Sequence, residues 1–382
     1  MAGEMMAAEI AEQPAVLARL LRNGSSATAQ ITTVLRNRAP RFVLFAARGT
    51  SDQAALYGKY LVEVQLALPC GMVSPSTFTT YHARPDLRDV LVVAVSQSGG
   101  SPDLVGTVEA ARTLGATTLV VTNTADSDLA RAAELHLDVT AGAEKAVTAT
   151  KSYSAELLGL WLLVQSWRDA GTDPAAGLPD AVAGHLGRHP EVATLADRYR
   201  FADRMLITGR GFAYPTAGEA ALKLMETCYL AAQAFSGADL LHGPVAMIDQ
   251  NHPTIAIIPN GAAGRAMTPV LAQLAANGAD LLLLGGDECA DVGTVSYRLP
   301  TLPEDLSPIA DIVPLQLARA WRAPVHSANS CSNFIVISPP DIVPARSTSS
   351  TALSSSCVTI GQWKSDSSTC PTAFGPPRIA SF

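Results

Sequence analysis

Charge is scarce in this 382-residue chain: charged residues make up 16% of it, and Lys59, Lys145, Lys151, Lys223 and Lys364 are its only lysines. With a formal net charge of −7, a broad basic face is missing, which excludes nucleic acid or an anionic membrane as the main partner. No apolar run approaches membrane-spanning length, and the N-terminus carries Glu4, Glu9 and Glu12 in place of a signal-peptide core. Cys70, Cys228 and Cys289 lie far apart, and Cys331, Cys357 and Cys370 crowd the tail without Cys-x-x-Cys spacing. A zinc knuckle and a secreted disulfide framework are therefore excluded, and a reducing, cytoplasmic location is expected. Neither the Gly-x-x-x-x-Gly-Lys-Ser/Thr nor the Gly-x-Gly-x-x-Gly pattern accompanies the glycine-rich loop described next, which excludes a nucleotide as its ligand. No cofactor is expected. His185 and His189 have metal-ligand spacing, but Gly184, Gly187 and Pro190 interrupt their helix and no third ligand follows, so no metal is assigned.

What the chain does have is apolar mass, 48% of residues, enough for at least one large core. One segment also carries chemistry: Val90 to Val95 reads as an inner strand, followed by Ser96-Gln97-Ser98-Gly99-Gly100-Ser101-Pro102. Ser101 suits the cap of a following helix and Pro102 its first position. Glycines there let the main chain approach an anion, the helix N-terminus adds partial positive charge, and Ser96, Ser98 and Ser101 add hydroxyl donors. A monophosphate is the expected ligand.

The chain is also duplicated. Arg48-Gly49 after Phe42 to Ala47 matches Arg210-Gly211 after Met205 to Gly209 at an offset of 162. Ser96 matches Pro259, and Gly115-Ala116 matches Gly278-Ala279, both at 163. Strands alternate with helical patterns in each copy, as with Tyr57, Tyr60, Leu61, Val64 and Leu68 after the cap candidate Ser51. Such units predict two α/β domains with parallel sheets covered on both faces, at 30–180 and 190–320, after a helical lead-in over 1–29 and joined near 173–179. From about Ala318 the sequence fills with Ser, Thr and Pro and loses periodicity, so 321–382 is expected to be a disordered or frame-shifted tail.

The copies differ chemically. At the position of the serine-rich loop the second reads Pro259-Asn260-Gly261-Ala262-Ala263-Gly264, without a hydroxyl, so only the first is expected to bind phosphate. The second offers Glu219, Lys223 and Glu226 on one helix face. A surface ion pair accounts for this spacing, but the scarcity of lysine favours a role for Lys223. His242 lies in Leu240-Leu241-His242-Gly243-Pro244, a turn before the strand-like Val245 to Ile248, where it is either structural or placed for proton transfer at a ring oxygen.

Arg48-Gly49-Thr50-Ser51, Ser96 to Ser101, Ala149-Thr150-Lys151 and Leu240 to Pro244, in this order across a duplication, resemble the sugar isomerase (SIS) domain family. The likeness is greatest to the isomerase half of glucosamine-6-phosphate synthase and its stand-alone relatives. Glu9-Ile10-Ala11-Glu12-Gln13-Pro14 also resembles that family's lead-in helix, and the likeness continues through Ser307 to Gln316. It implies two tandem flavodoxin-like or Rossmann-like three-layer sandwiches and a homodimer with shared active sites. Ser96, Gln97, Ser98 and Ser101 would hold the phosphate of a sugar phosphate, with Thr50 and Ser51 beside them. Glu226 would move a proton between C1 and C2, Lys223 would stabilise the developing oxyanion, and His242, from the neighbouring subunit, would assist ring opening. Val147, Ala149, Lys151 and Glu219 would support the site. Nothing before Phe42 is long enough for the synthase's glutaminase part, and Lys364 does not match the family's C-terminal lysine. An aminosugar-phosphate deaminase/isomerase that converts glucosamine 6-phosphate into fructose 6-phosphate and ammonia is the expected activity. An aminotransferase-like subunit and a non-catalytic phosphosugar sensor are the alternatives.

Overall fold

The computed structural model describes residues 2–286 and 293–318. The expected tail over 321–382 lies outside the described residues. Among the described residues ten strands form two five-stranded sheets, with every pairing parallel. The first contains β1 (Phe42–Ala46), β2 (Cys70–Met72), β3 (Val90–Ser96), β4 (Thr117–Thr122) and β5 (Leu135–Asp138) in the order β2-β1-β3-β4-β5. In the second, β6 (Arg204–Gly209), β7 (Ala231–Ser236), β8 (Pro253–Ile258), β9 (Asp280–Gly285) and β10 (Val295–Arg298) run in the order β10-β9-β8-β6-β7. Numbered within its own copy, each sheet has the flavodoxin-like order 2-1-3-4-5. The expected duplication is therefore structural: β1, β3 and β4 have β6, β8 and β9 as their counterparts. β3 and β4 are buried almost throughout, as inner strands covered on both faces must be.

The halves share one interior. A single apolar cluster takes in Val43 and Phe45 from the first sheet, Ile207 and Ile257 from the second, and Ile309, Ile312 and Val313 from the last described helix, Ser307–Leu317. The stretch read as the joint is itself folded: a 3-10 turn over Asp173–Ala175 leads into the helix Leu178–Gly187, whose Leu178 and Val182 are fully buried in that cluster. The lead-in consists of two helices, Ala2–Ala11 and Gln13–Arg38, the second running well past residue 29. Ile10, Leu17 and Leu20 anchor them to the core, each buried side chain contributing about 1.5–3 kcal/mol.

Three local expectations fail. Ser51 is not a cap, because the helix Thr50–Gln65 starts one residue earlier behind Gly49, whose φ of 59° only glycine adopts readily. Leu68 lies beyond that helix and Val64 faces solvent. Val245 to Ile248 is not a strand: Pro244, which has no amide proton for a ladder, opens a 3-10 turn over Pro244–Met247.

Candidate functional site

In a parallel sheet the connections after each strand gather along one edge, and ligands settle where the strand order reverses, here between β1 and β3. The segments that follow these strands open the helices Thr50–Gln65 and Pro102–Thr113. Gly99, at φ 62°, lets the serine loop turn under Ser127, whose Oγ would lie 2.2 Å from any added Cβ. Ser96 Oγ accepts from the Gly99 amide at 3.2 Å and Ser98 Oγ from the Gly100 amide at 3.3 Å. A hydroxyl that accepts keeps its own proton to donate, so both remain available to an anion. Ser101 sits at the cap position with extended backbone, but its hydroxyl bonds no helix amide and so is also available. The Gln97 carbonyl accepts from Thr122 Oγ1 at 3.2 Å, Thr124 Oγ1 at 3.4 Å and the Asn123 amide at 3.2 Å, which anchors the loop to the end of β4. Arg48 pairs with Asp103 in the first turn of the following helix, and Asp103 also accepts from Thr79 Oγ1 at 2.7 Å.

The second half reaches this edge through the helix Ala213–Cys228. Gly218 allows the close approach: a Cβ there would fall 2.3 Å from Gln53 Oε1 on the helix Thr50–Gln65. One turn on, Lys223 is only 2% exposed, so the surface ion pair is not what its spacing encodes. Its Nζ donates to Thr50 Oγ1 at 2.9 Å and to Glu226 Oε2 at 2.6 Å, and lies 3.4 Å from Glu219 Oε1. Two carboxyls thus face one ammonium. Burial pushes the Glu219 carboxyl up to about 8, more than the Lys223 charge pulls it down. At neutral pH Glu219 is mostly protonated, and of the two carboxyls the nearer to Lys223 is that of Glu226.

The remaining residues divide. Ser51 is turned inward, donating to Glu156 Oε1 at 2.9 Å, and Glu156 is fully buried with its pKa raised by that burial. Ser51 is therefore a strut between helices rather than a free donor. Lys151 opens the helix Lys151–Trp167 and pairs with Glu12 at 2.6 Å, while Ala149 and the outward-facing Val147 lie in the loop before it. That loop follows β5 and is tied to the same edge, the Ala141 amide donating to Asn123 Oδ1 and Asn123 Nδ2 to the Gly142 carbonyl, both at 2.7 Å. His242 is exposed, and among the described residues no hydrogen bond or ion pair joins its ring to Lys223 or Glu226. His185, by contrast, is buried with Nδ1 2.8 Å from the Tyr297 hydroxyl, a packing role. Thr122-Asn123-Thr124 and Glu156 went unnoticed in the sequence. The former had a signal, since it ends a strand with hydroxyls and an amide as Ser96-Gln97-Ser98 does.

In the second half the corresponding loop holds an internal anion. Glu304 accepts from the Ala262 amide at 3.0 Å and the Ala263 amide at 2.7 Å. Its neighbour Asp305 crosses to the first half, accepting at Oδ2 from Gln65 Nε2 and Trp161 Nε1, both at 2.7 Å, and at its carbonyl from the Tyr57 hydroxyl.

The model of the SIS domain matches residues 38–166 and 199–323. Over 333 residues the chain is 33% identical to glutamine–fructose-6-phosphate aminotransferase (isomerizing) of Acidithiobacillus ferridurans, a match covering 82% of this chain and 54% of that protein. The chain thus spans about half the length of this curated relative. A solved protein of Silicibacter pomeroyi DSS-3, provisionally named a phosphosugar isomerase, is 32% identical with a TM-score of 0.70, covering 83% of this chain and 97% of that one. The C-terminal domain of glucosamine-fructose-6-phosphate aminotransferase from Francisella tularensis has the same fold, at a TM-score of 0.73 and 24% identity over 83% of this chain and 94% of that one.

Proposed function

Because this chain belongs to the SIS-domain family, we propose that it interconverts aldose and ketose sugar phosphates, and that glucosamine 6-phosphate is its substrate. The observation that supports this most directly is the bridge of Lys223 from Glu226 to Thr50, which brings a carboxylate and an ammonium from one half to the serine loop's edge of the other. Ser96, Ser98 and Ser101 hold the phosphate. His242, supplied by a second copy, opens the ring. Glu226 takes the proton from C2 of the open aldehyde and returns it to C1, while Lys223 offsets the negative charge on the oxygen at C1 during the transfer. This leaves an imine at C2, which water hydrolyses to fructose 6-phosphate and ammonia. With a 2-hydroxy sugar the same transfer ends at the ketose.

In Glu226→Gln, turnover should fall by about 10²–10⁴-fold, the usual size of a general-base effect, with binding retained. Exchange of the C2 hydrogen with deuterated solvent, followed alongside ammonia release, checks this. Exchange at the wild-type rate would remove Glu226 from the role, and binding without exchange or ammonia in the wild type would identify a sensor instead.

A further inference from the structure

The lead-in motif Glu9-Ile10-Ala11-Glu12-Gln13 takes no part in the site described so far, yet three of its side chains grip one stretch of chain. Glu9, only 5% exposed, accepts through Oε1 from the Lys145 amide at 2.5 Å and through Oε2 from the Ala146 amide at 3.2 Å. Glu12 Oε2 meets Lys151 Nζ at 2.6 Å. Gln13 accepts from the Ser154 hydroxyl and donates to Gln316 Oε1 at 2.8 Å, and Gln316 donates onward to the Thr150 carbonyl at 3.3 Å. Glu144 fastens the other side, accepting from the Thr150 amide at 2.8 Å and from the Ser152 hydroxyl.

Between these anchors stands Val147, 95% exposed, the barest large apolar side chain among the described residues. A loop held at one end by the buried Glu9 carboxylate and at the other by the pairing of Lys151 with Glu12 and the hydrogen bonds to Glu144, while presenting a valine to water, is arranged in advance for a ligand with an apolar face. Its position agrees. The segment continues into the helix Lys151–Trp167, whose Glu156 meets Ser51, and its beginning is tied through Asn123 to the Gln97 carbonyl.

We propose that Glu9 is a positioning residue for the sugar: by fixing the Lys145 and Ala146 amides it holds Val147 against the carbon skeleton of a bound sugar phosphate. This rests on the phosphate-loop reading above. Among the described residues no hydrogen bond joins Glu9 to the serines, so it should affect the sugar and not the phosphate.

The test uses the full chain and titration calorimetry with two probes, glucosamine 6-phosphate and inorganic phosphate. In Glu9→Ala the dissociation constant for glucosamine 6-phosphate should rise about tenfold while that for inorganic phosphate stays within about twofold, the selective loss expected of a misplaced contact. Glu9→Gln keeps one carbonyl oxygen for these amides and should recover most of the loss. Equal weakening of both probes, or a lowered melting temperature with the ratio of the two constants unchanged, would overturn the proposal. If Glu9→Ala does not fold, Glu9→Asp, whose shorter side chain withdraws the carboxylate from the two amides, is the second variant, and a wild-type ratio in it overturns the proposal equally. Ser98→Ala separates the two ideas: if it leaves both constants unchanged, the phosphate-loop reading fails whatever Glu9 does, and the Glu9 proposal falls with it.

Discussion

Lys223 is where the two halves meet chemically. One ammonium, almost wholly out of water, is shared among a threonine of the first half and two carboxyls of its own helix. The sequence hinted at this only through rarity, since five lysines in 382 residues leave few for a surface role. That Thr50 would be the partner depends on how two helices 173 positions apart along the chain cross, which no local pattern encodes. The serines were legible because their signal is local: strand, glycines, hydroxyls and Pro102 in one run. Ser98 is the clearest test. It is exposed, its hydroxyl proton is uncommitted, and replacing it should disturb little else. Losing a hydrogen bond to a charged group costs about 1.5–3 kcal/mol, so Ser98→Ala should weaken glucosamine 6-phosphate by at least about tenfold in calorimetry. Ser51 was misread because a hydroxyl at a helix start has two fates, and the choice was made by Glu156, distant in sequence.

At the scale of elements, the helix Ser307–Leu317 is buried along its whole length, with Asp311 only 1% exposed in its middle. Among the described residues neither carboxyl oxygen meets a donor in good geometry, and burial pushes Asp311 up to about 8, the Ser307 hydroxyl offsetting only part. The sign follows directly. Between the ordinary carboxylate range near 4 and about pH 8 the folded chain keeps a proton that the unfolded chain releases, so this contribution to stability is complete in acid and lost as pH rises through 8. Asp311→Asn removes the ionisable group and should flatten that slope. Its melting temperature should exceed the wild type's at pH 8.5 by several degrees, since about 1 kcal/mol corresponds to about 2–4 °C in a large domain, and the gap should narrow as pH falls and close below about pH 4. A gap independent of pH would show that Asp311 is held in another way. The helix was legible in outline from the likeness over Ser307 to Gln316; the burial of its aspartate was not, because water is removed only by the packing of other helices against it, Ala213–Cys228 and Leu178–Gly187 foremost.

For the whole molecule, duplication was the most legible property, carried by offsets that insertions scarcely disturb. Less legible was the merging of the two halves into one core, since the apolar pattern of a strand says which face is buried and not against what. Exposed His242 sets the remaining expectation, a dimer in which each site borrows a histidine. Coexpressing His242→Ala and Glu226→Gln subunits, each inactive alone, should restore about a quarter of wild-type activity, because half of the randomly paired dimers contain one intact site of two. No recovery, or full activity in a sedimenting monomer, would contradict sharing.

Glu304 gives the duplication a further meaning. Joined to the same chain as the amides it meets, its carboxylate faces them at an effective concentration on the order of millimolar or more, without the translational cost of capturing an ion from solution. The second copy's loop is sealed with its own stopper, and on the reading proposed above the first is left to fill and empty with the supply of a ligand. On that reading a change in ligand level is felt by one copy alone.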